Sequence, residues 1–264
     1  MAWIKRHLIT FAALAVLAYT LVPNVIVAVF SFNDPKGKFN YTFNEFSTDA
    51  WTNPCGAPGI CDSLGLSLRI GITASIIATI LGTMIAFALG RYRFRGRSAT
   101  NLLIFMPMAT PEVVMGSSLL TLFLMAGIPA GPVAILIAHI MFCVSFVVVA
   151  VKARVATLDP RLEEAAADLG ANPTQTFLRV TLPLAAPGIA AGALLAFSLS
   201  FDDYIITNFN ASPSSITFPM FVWGASARGV PVQVYVVGTL MFLLALVVVM
   251  GGQVVSKRRN RQVA

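Results

Sequence analysis

The chain has 264 residues, of which 57% are hydrophobic and only 11% are charged. A soluble domain has about a quarter of its residues charged, so this composition excludes an ordinary soluble protein and favours a lipid-facing exterior. The net charge of +7 does not indicate a nucleic-acid partner, because the basic residues lie between apolar segments and not on a soluble face with stacking aromatic residues.

Six apolar segments occupy most of the chain. A helix rises about 1.5 Å per residue, so about 20 apolar residues cross a hydrocarbon core about 30 Å thick. The short alternating segments of a membrane β-barrel are absent from the sequence. We therefore predict an all-α membrane protein with six transmembrane helices in a single domain, residues 1–264. The spans are predicted at about 8–30, 68–89, 102–126, 133–151, 184–207 and 234–255.

Basic residues predict the orientation of these spans, because Lys and Arg are retained on the cytoplasmic side. They precede the first span, follow the sixth, and occupy the loops between spans two and three and between spans four and five. Both termini are therefore predicted to be cytoplasmic, and the first span is predicted to be an uncleaved signal anchor. The retained residues are Lys5, Arg6, Arg91, Arg93, Arg95, Arg97, Lys152, Arg154, Arg161, Arg179, Lys257, Arg258, Arg259 and Arg261; Lys36, Lys38, Arg69 and Arg228 fall on the other side.

The first predicted external loop, residues 31–67, carries Cys55 and Cys61. Thiols in an oxidising compartment form disulfides, and the glycines and proline between these two allow a short closed loop. No histidine or second cysteine pair accompanies them, so no metal site is predicted. The loop is expected to be a lid over the bundle or a surface for an external partner.

Three acidic residues lie in or near the predicted spans: Glu112 in the third, and Asp202 and Asp203 toward the outer end of the fifth. An ionised carboxylate in hydrocarbon costs about 2.5–3.5 kcal/mol on insertion scales, so such residues usually face a cavity or a partner. Pro107 and Pro111 precede Glu112 and can open the helix along a polar path. Of the adjacent aspartates we prefer Asp203 for such a path; the alternative for all three acids is a structural role.

Histidine is too rare for most hydrolytic sites. The chain has only His7 and His139, and it has no H-E-x-x-H motif and no Ser-His-Asp arrangement. We therefore predict that the chain is not an enzyme. His139 stands alone on an apolar helix face and is predicted to form hydrogen bonds between helices.

The loop between spans four and five, residues 152–183, has the local signals of two short helices. Asp159 before Pro160 predicts the start of the first helix, and Gly170 predicts a left-handed stop. Such a block suits transmission of force from a moving partner. The alternative is an amphipathic helix lying at the membrane interface.

The second short helix is predicted to begin at Asn172, with Gln175 in the position that completes a capping box. Pro183 is predicted to end this helix just before the fifth span.

The same loop contains a spaced signature: Glu164-Ala165-Ala166, three residues, Gly170, nine residues, Val180, one residue, and Leu182-Pro183. It resembles the EAA motif of the permease subunits of ABC importers, with Val180 where isoleucine is usual. The resemblance implies a coupling helix in the loop that docks in a groove of a separate ATPase. The implied coupling residues are Glu163, Glu164, Ala165, Ala166, Asp168 and Gly170.

The resemblance also implies a set of partners in the cytoplasmic membrane of a bacterium. These are a homologous second permease, an ABC ATPase dimer and an extracytoplasmic substrate-binding protein. The chain has no G-x-x-x-x-G-K-[ST] phosphate-binding loop, so ATP and Mg are expected on the ATPase, and no cofactor is expected on this chain.

Three further segments, residues 91–96, 111–115 and 200–204, are similar to permeases of spermidine/putrescine importers, whereas the loop with the two cysteines is not. Polyamines need carboxylates for their ammonium groups and aromatic faces for their methylene groups. The residues expected to line the substrate path are Glu112, Asp202, Asp203, Tyr204 and Trp223.

Two alternatives stay open. The same type of permease can carry iron, thiamine, an opine or a sugar. A proton-coupled secondary transporter with Glu112 and Asp203 as a relay is the second alternative, but it leaves the EAA-like signature unexplained.

Overall fold

The computed structural model describes the backbone of residues 2–263 and the side chains of residues 7–252. The packing divides the chain into two compact units. The first unit runs up to Cys61 and resumes at Phe221, and the second comprises Asp62–Met220. The single domain predicted from the sequence stays a prediction. Six of the basic residues that predicted the orientation lie outside the described side chains: Lys5, Arg6, Lys257, Arg258, Arg259 and Arg261.

Helices dominate the described residues. They are α1 (Ala2–Phe30), α2 (Asp49–Thr52), α3 (Ile60–Arg91), α4 (Arg97–Ala109), α5 (Glu112–Met125), α6 (Pro132–Val155), α7 (Arg161–Asp168), α8 (Pro173–Thr176), α9 (Leu182–Asp202), α10 (Ile205–Asn210), α11 (Phe218–Ser226) and α12 (Val232–Val263), with a π-helical turn at Phe177–Thr181 between α8 and α9.

Among the described residues, five uninterrupted helical segments are long and apolar enough to cross a membrane, and a sixth candidate is a bent pair. The predicted all-α membrane fold is therefore confirmed. The second span begins at Ile60, eight residues before the predicted start, because the helix continues beyond the apolar stretch. The fifth ends at Asp202, before the predicted residue 207. The other three uninterrupted spans are His7–Phe30, Pro132–Val155 and Val232–Gly252.

The third predicted span is not one continuous helix, as the prolines before Glu112 indicated that it could open. It consists of α4 and α5, whose axes are bent by 109° at a short break. Thr110, in the break, has an extended backbone with ψ 132°, and Pro111 follows it. A proline ring disfavours helical backbone in the residue before it, so the helix ends here. Pro107 is accommodated inside α4.

Close packing of α6 against α9 forms the centre of the second unit. Gly192 faces Val147, and a Cβ at this glycine would lie 3.4 Å from Val147 Cγ1. Gly188 similarly faces the side chain of Arg154. Small residues let two membrane helices approach closely and gain van der Waals contact, so these glycines place the N-terminal part of α9 directly against α6.

The first unit contains a small folded segment between α1 and α3. Strands β1 (Asn33–Asp34) and β2 (Glu45–Phe46) pair antiparallel, and the Asn33 side chain links them to the intervening turn. Trp51 of α2 stacks on Phe32 at a centroid separation of 5.0 Å and donates to Ser31 Oγ. The predicted lid is therefore a structured segment, although its role stays a prediction.

Cys55 and Cys61 are joined by a disulfide with a Cα–Cα distance of 5.3 Å. The third cysteine, Cys143, is a buried free thiol whose Sγ lies 3.4 Å from Ala196 O. The bond closes the turn that leads into α3.

Thiol counting tests this arrangement. In denaturant without a reductant, we expect one reactive thiol per chain, and after reduction we expect three, because the chain has three cysteines. The Cys143→Ala variant should give no reactive thiol without a reductant and two reactive thiols after reduction. A wild-type count of three without a reductant would show that Cys55 and Cys61 are not joined.

Candidate functional site

Helix α7 has well-defined ends. Asp159 Oδ1 accepts a hydrogen bond from the amide of Arg161 at 3.0 Å, so Asp159 caps the first turn as predicted, although Pro160 lies between it and the helix. Gly170 follows the helix with φ +83°. The amides of Gly170 and Ala171 donate to the carbonyls of Ala167 and Ala166 at 2.9 and 3.0 Å, which is a Schellman stop. The predicted left-handed stop is confirmed.

The predicted capping box at Asn172 is also confirmed. Asn172 Oδ1 accepts from the Gln175 amide at 2.9 Å, and Gln175 Oε1 accepts from the Asn172 amide at 3.0 Å. The predicted helix end at Pro183 is wrong, because α8 continues through the π-helical turn into α9. Within this turn the Leu182 amide donates to Phe177 O, five residues back, and the wider turn accommodates the following proline without a break.

Helix α7 presents two different sides. Glu163 and Ala166 are half-buried, whereas Glu164, Ala165 and Asp168 are exposed. Asp168 lies four positions after Glu164 and three after Ala165, so it is a surface neighbour of both. The exposed face therefore combines two carboxylates with a small alanine surface.

Glu163 is turned toward the rest of the second unit. Its Oε1 lies 3.0 Å from Arg91 Nη2 at the end of α3 and accepts a hydrogen bond from Thr181 Oγ1 at 3.0 Å. Arg91 and Thr181 were not predicted as partners of Glu163. No local pattern signals such a contact, because Arg91 is distant along the chain and its basic charge also fits a topology anchor.

The acidic residues near the end of α9 differ in their surroundings. Asp202 is the last residue of α9 and is exposed. The side chain of Asp203 is only 5% exposed, and it caps α10. Its Oδ2 accepts hydrogen bonds from the amide and the hydroxyl of Thr207 at 2.7 and 2.8 Å. Its Oδ1 accepts a hydrogen bond from the amide of Ile206 at 3.3 Å. Asp203 is therefore bonded within the chain, and Asp202 is the more accessible of the two; which of them lines a path stays a prediction.

His139 completes this buried polar cluster. Its Nδ1 lies 2.7 Å from Ser200 Oγ, and its Nε2 lies 2.9 Å from Thr207 Oγ1 and 3.3 Å from Asp203 Oδ2. The hydroxyl of Thr207 donates to Asp203, so the Nε2–H of His139 is the donor toward this pair. The prediction that His139 forms hydrogen bonds between helices is confirmed, whereas Ser200 and Thr207 were not predicted.

Glu112 begins α5, directly after the break in the third span. Its side chain is exposed, and it lies in the first turn of α5, where the helix dipole favours a negative charge. A cavity of about 380 Å³ lies in the same bent region. Its lining is mostly apolar and includes Leu103, Met106, Pro107, Thr110, Met115 and Met141.

Two aromatic residues complete the set predicted for the path. Tyr204 directly follows Asp203 and is half-buried, at the N-terminal cap position of α10. Trp223 lies on α11, in the first unit, and is 64% exposed. Among the described residues, no group of three or more His, Cys, Asp or Glu side chains is arranged to hold a metal ion.

Comparisons with known proteins agree with the helical fold. A sequence profile of the family described as "Binding-protein-dependent transport system inner membrane component" matches residues 65–262. The spermidine/putrescine transport system permease protein PotC of Escherichia coli K12 is 35% identical over 247 residues, which are 94% of this chain and 93% of that one. The putrescine transport system permease protein PotI of the same strain is 36% identical over 230 residues, covering 84% of this chain and 81% of that one.

Solved structures show the same fold at low sequence identity. A chain in the crystal structure of a bacterial ABC transporter involved in import of the acidic polysaccharide alginate superposes with a TM-score of 0.66 at 18% identity, covering 96% of each chain. The profile match extends over most of the chain, from α3 to α12. This protein therefore belongs to the family of inner membrane components of binding-protein-dependent transport systems, as a multi-pass permease subunit of the ABC importer type.

Proposed function

We propose that this chain is a permease subunit of an ATP-driven importer for polyamines such as spermidine and putrescine. The observation that carries the proposal is the division of α7 into two sides. Glu164, Ala165 and Asp168 face outward, where a separate subunit can bind them, while Glu163 is tied to α3 and to the π-helical turn. Such a helix suits a force-transmitting contact with an ATPase.

The proposed complex contains a homologous second permease, an ABC ATPase dimer that binds ATP and Mg, and an extracytoplasmic substrate-binding protein. Closure of the ATPases moves the α7 helices of the two permeases together and opens the path to the side of the binding protein. In this arrangement α7 and both termini are cytoplasmic. The small side chain of Ala165 allows close approach to the ATPase groove, and Glu164 supplies a charged contact at its rim.

Polyamine as the cargo is supported by two kinds of evidence. The relatives PotC and PotI are named for spermidine and putrescine transport. This chain also carries exposed carboxylates at the ends of two broken helices, Asp202 and Glu112, and carboxylates bind ammonium groups. Transport of a neutral sugar would leave these acids unexplained, whereas transport of a metal ion or an amino-acid derivative is compatible with them.

Uptake by proteoliposomes that contain the whole complex tests both the energy source and the cargo. We expect ATP-dependent accumulation of labelled spermidine or putrescine that unlabelled polyamine reduces and sugars do not. Binding-protein-stimulated ATP hydrolysis without polyamine uptake would contradict the cargo. Uptake that a protonophore abolishes while ATP is maintained would favour a proton-coupled transporter.

The coupling helix generates one prediction. The Glu164→Lys variant reverses a charge on the exposed face of α7, and Gly170→Val places a β-branched residue at φ +83°, which L side chains rarely adopt. We expect each to reduce co-purification of the ATPase about tenfold or more, as for loss of a central interface residue.

The controls for this prediction are matched in chemistry. Glu45→Lys makes the same charge reversal on an exposed residue of β2, and Gly127→Val puts the same strain at a glycine with φ +73°; a Cβ at Gly127, as at Gly170, has no atom within 4 Å. Both control variants should retain the ATPase. Equal retention by the α7 variants and the wild type would refute the coupling assignment.

The adjacent aspartates generate a second prediction, in which two similar changes have different effects. Asp202→Asn should lower the rate of polyamine uptake severalfold with an unchanged melting temperature, because Asp202 is exposed at the end of α9. Asp203→Asn should lower the melting temperature by about 3–12 °C, because a lost hydrogen bond to a buried carboxylate costs about 1.5–3 kcal/mol and each kcal/mol shifts the melting temperature by about 2–4 °C.

A thermal melt and an uptake assay on each purified complex make this comparison, with Glu112→Gln as a further path variant. If Asp202→Asn and Glu112→Gln both transport polyamine at wild-type rates, the acidic path is wrong. If Asp203→Asn is as stable as the wild type, the buried cluster does not stabilise the helix break.

A further inference from the structure

The end of α3 is joined to the loop that contains α7 at two points, both within the second unit. Arg91 Nη2 lies 3.0 Å from Glu163 Oε1, and the same carboxylate oxygen accepts a hydrogen bond from Thr181 Oγ1 at 3.0 Å. One turn earlier on α3, Phe87 meets the ring of Phe177 edge to face, with a centroid separation of 5.3 Å. We call these five residues the α3 clamp.

The spacing of the contacts makes the α3 clamp resistant to rotation. Phe87 and Arg91 are four residues apart and lie on one face of α3. Phe87 contacts Phe177 directly, whereas Arg91 reaches Thr181 through Glu163. Phe177 and Thr181 begin and end the π-helical turn. A single contact lets two segments pivot about it, whereas two contacts separated by a helical turn hold both position and angle. Aromatic edge-to-face pairs add directional preference to the apolar contact.

The polar half of the clamp is partly shielded from solvent. Thr181 is 4% exposed, and the side chains of Arg91 and Glu163 are 20% and 34% exposed. Among the described residues, Arg91 Nε is buried and has no hydrogen-bond acceptor. Within the same part of the chain, the carboxylate that pairs with this guanidinium is that of Glu163. Removal of Glu163 therefore leaves a partly buried cation without its counter-charge, which is more disruptive than the loss of an exposed pair.

The chain connects the α7 loop directly to α6 on one side and to α9 on the other, but it does not connect this loop to α3. We propose that the α3 clamp makes α3 move with the loop, so that motion of the ATPase reaches three spanning helices and not two. Arg91 and Glu163 are then positioning residues: they do not contact the cargo or ATP, and they act through α3. This inference rests on the proposed function, because it assigns a task within the coupling step.

The first test separates coupling from assembly. In proteoliposomes with the whole complex, Arg91→Gln and Glu163→Gln should retain the ATPase and its ATP hydrolysis, but the amount of labelled spermidine taken up per ATP should fall about fivefold or more, within the usual range of allosteric coupling. Arg93→Gln is the matched control, because it removes the same charge from an exposed residue two positions further on. It should leave the ratio unchanged.

Exchange of the two charges distinguishes a clamp from general damage. The double variant Arg91→Glu with Glu163→Arg restores an ion pair with the positive and negative charges exchanged. We expect it to recover at least about half of the lost uptake per ATP. Wild-type ratios in both single variants would overturn the proposal. Equal loss in the single variants and the double variant would also overturn it.

A second test does not depend on the cargo. The Phe87→Cys and Phe177→Cys pair, in a Cys143→Ala background, is joined with a short bifunctional thiol reagent. If α3 and the π-helical turn move as one body, the joined complex should keep its stimulated ATP hydrolysis. Loss of hydrolysis only in the joined complex, and not in the singly labelled variants, would show relative movement and would contradict the clamp. Absence of ATPase binding in the wild type would instead contradict the proposed function.

Discussion

A backbone amide or carbonyl in hydrocarbon has no water to bind, so a membrane helix can break only where the protein supplies the missing partners. After α9, Asp203 supplies them to α10 by accepting from the amides of Ile206 and Thr207, and His139 holds the carboxylate from α6. At the break before α5, the amide of Thr110 still bonds to Met106 O at 3.0 Å. Both breaks place an acidic residue beside a helix end.

This constraint separates neighbouring acids into different tasks. Glu163 and Glu164 point about 100° apart on α7, and Asp203 has an extended backbone directly after Asp202 ends α9. One carboxylate of each adjacent pair can therefore be satisfied by the protein while the other stays available. Asp203 is buried and bonded while Asp202 is exposed, and Glu163 is paired with Arg91 while Glu164 is exposed. In each pair the inward acid stabilises the geometry in which the outward acid is presented. The proposed coupling and substrate contacts both use outward acids.

Local features were predicted well from the sequence because their causes lie within one helical turn. The capping box of Asn172 and Gln175 and the left-handed Gly170 depend on nearest neighbours, and apolar length predicts most spans. The prolines before Glu112 predicted that the helix could open but not that it breaks at Thr110, and the continuation of the helix through Pro183 was not predicted. Prolines permit either outcome, and the choice depends on whether neighbouring segments satisfy the freed backbone groups.

The sequence by itself determined that this protein is a helical membrane protein with a helix–glycine–helix loop and the EAA-like signature of an importer permease, because composition and short-range spacing carry that information. Only the tertiary structure decided which side chains meet. His139 and Ser200 are 61 residues apart, and the partners of Glu163 come from α3 and the π-helical turn. Such contacts depend on how distant helices pack, and no local pattern of residues encodes that arrangement.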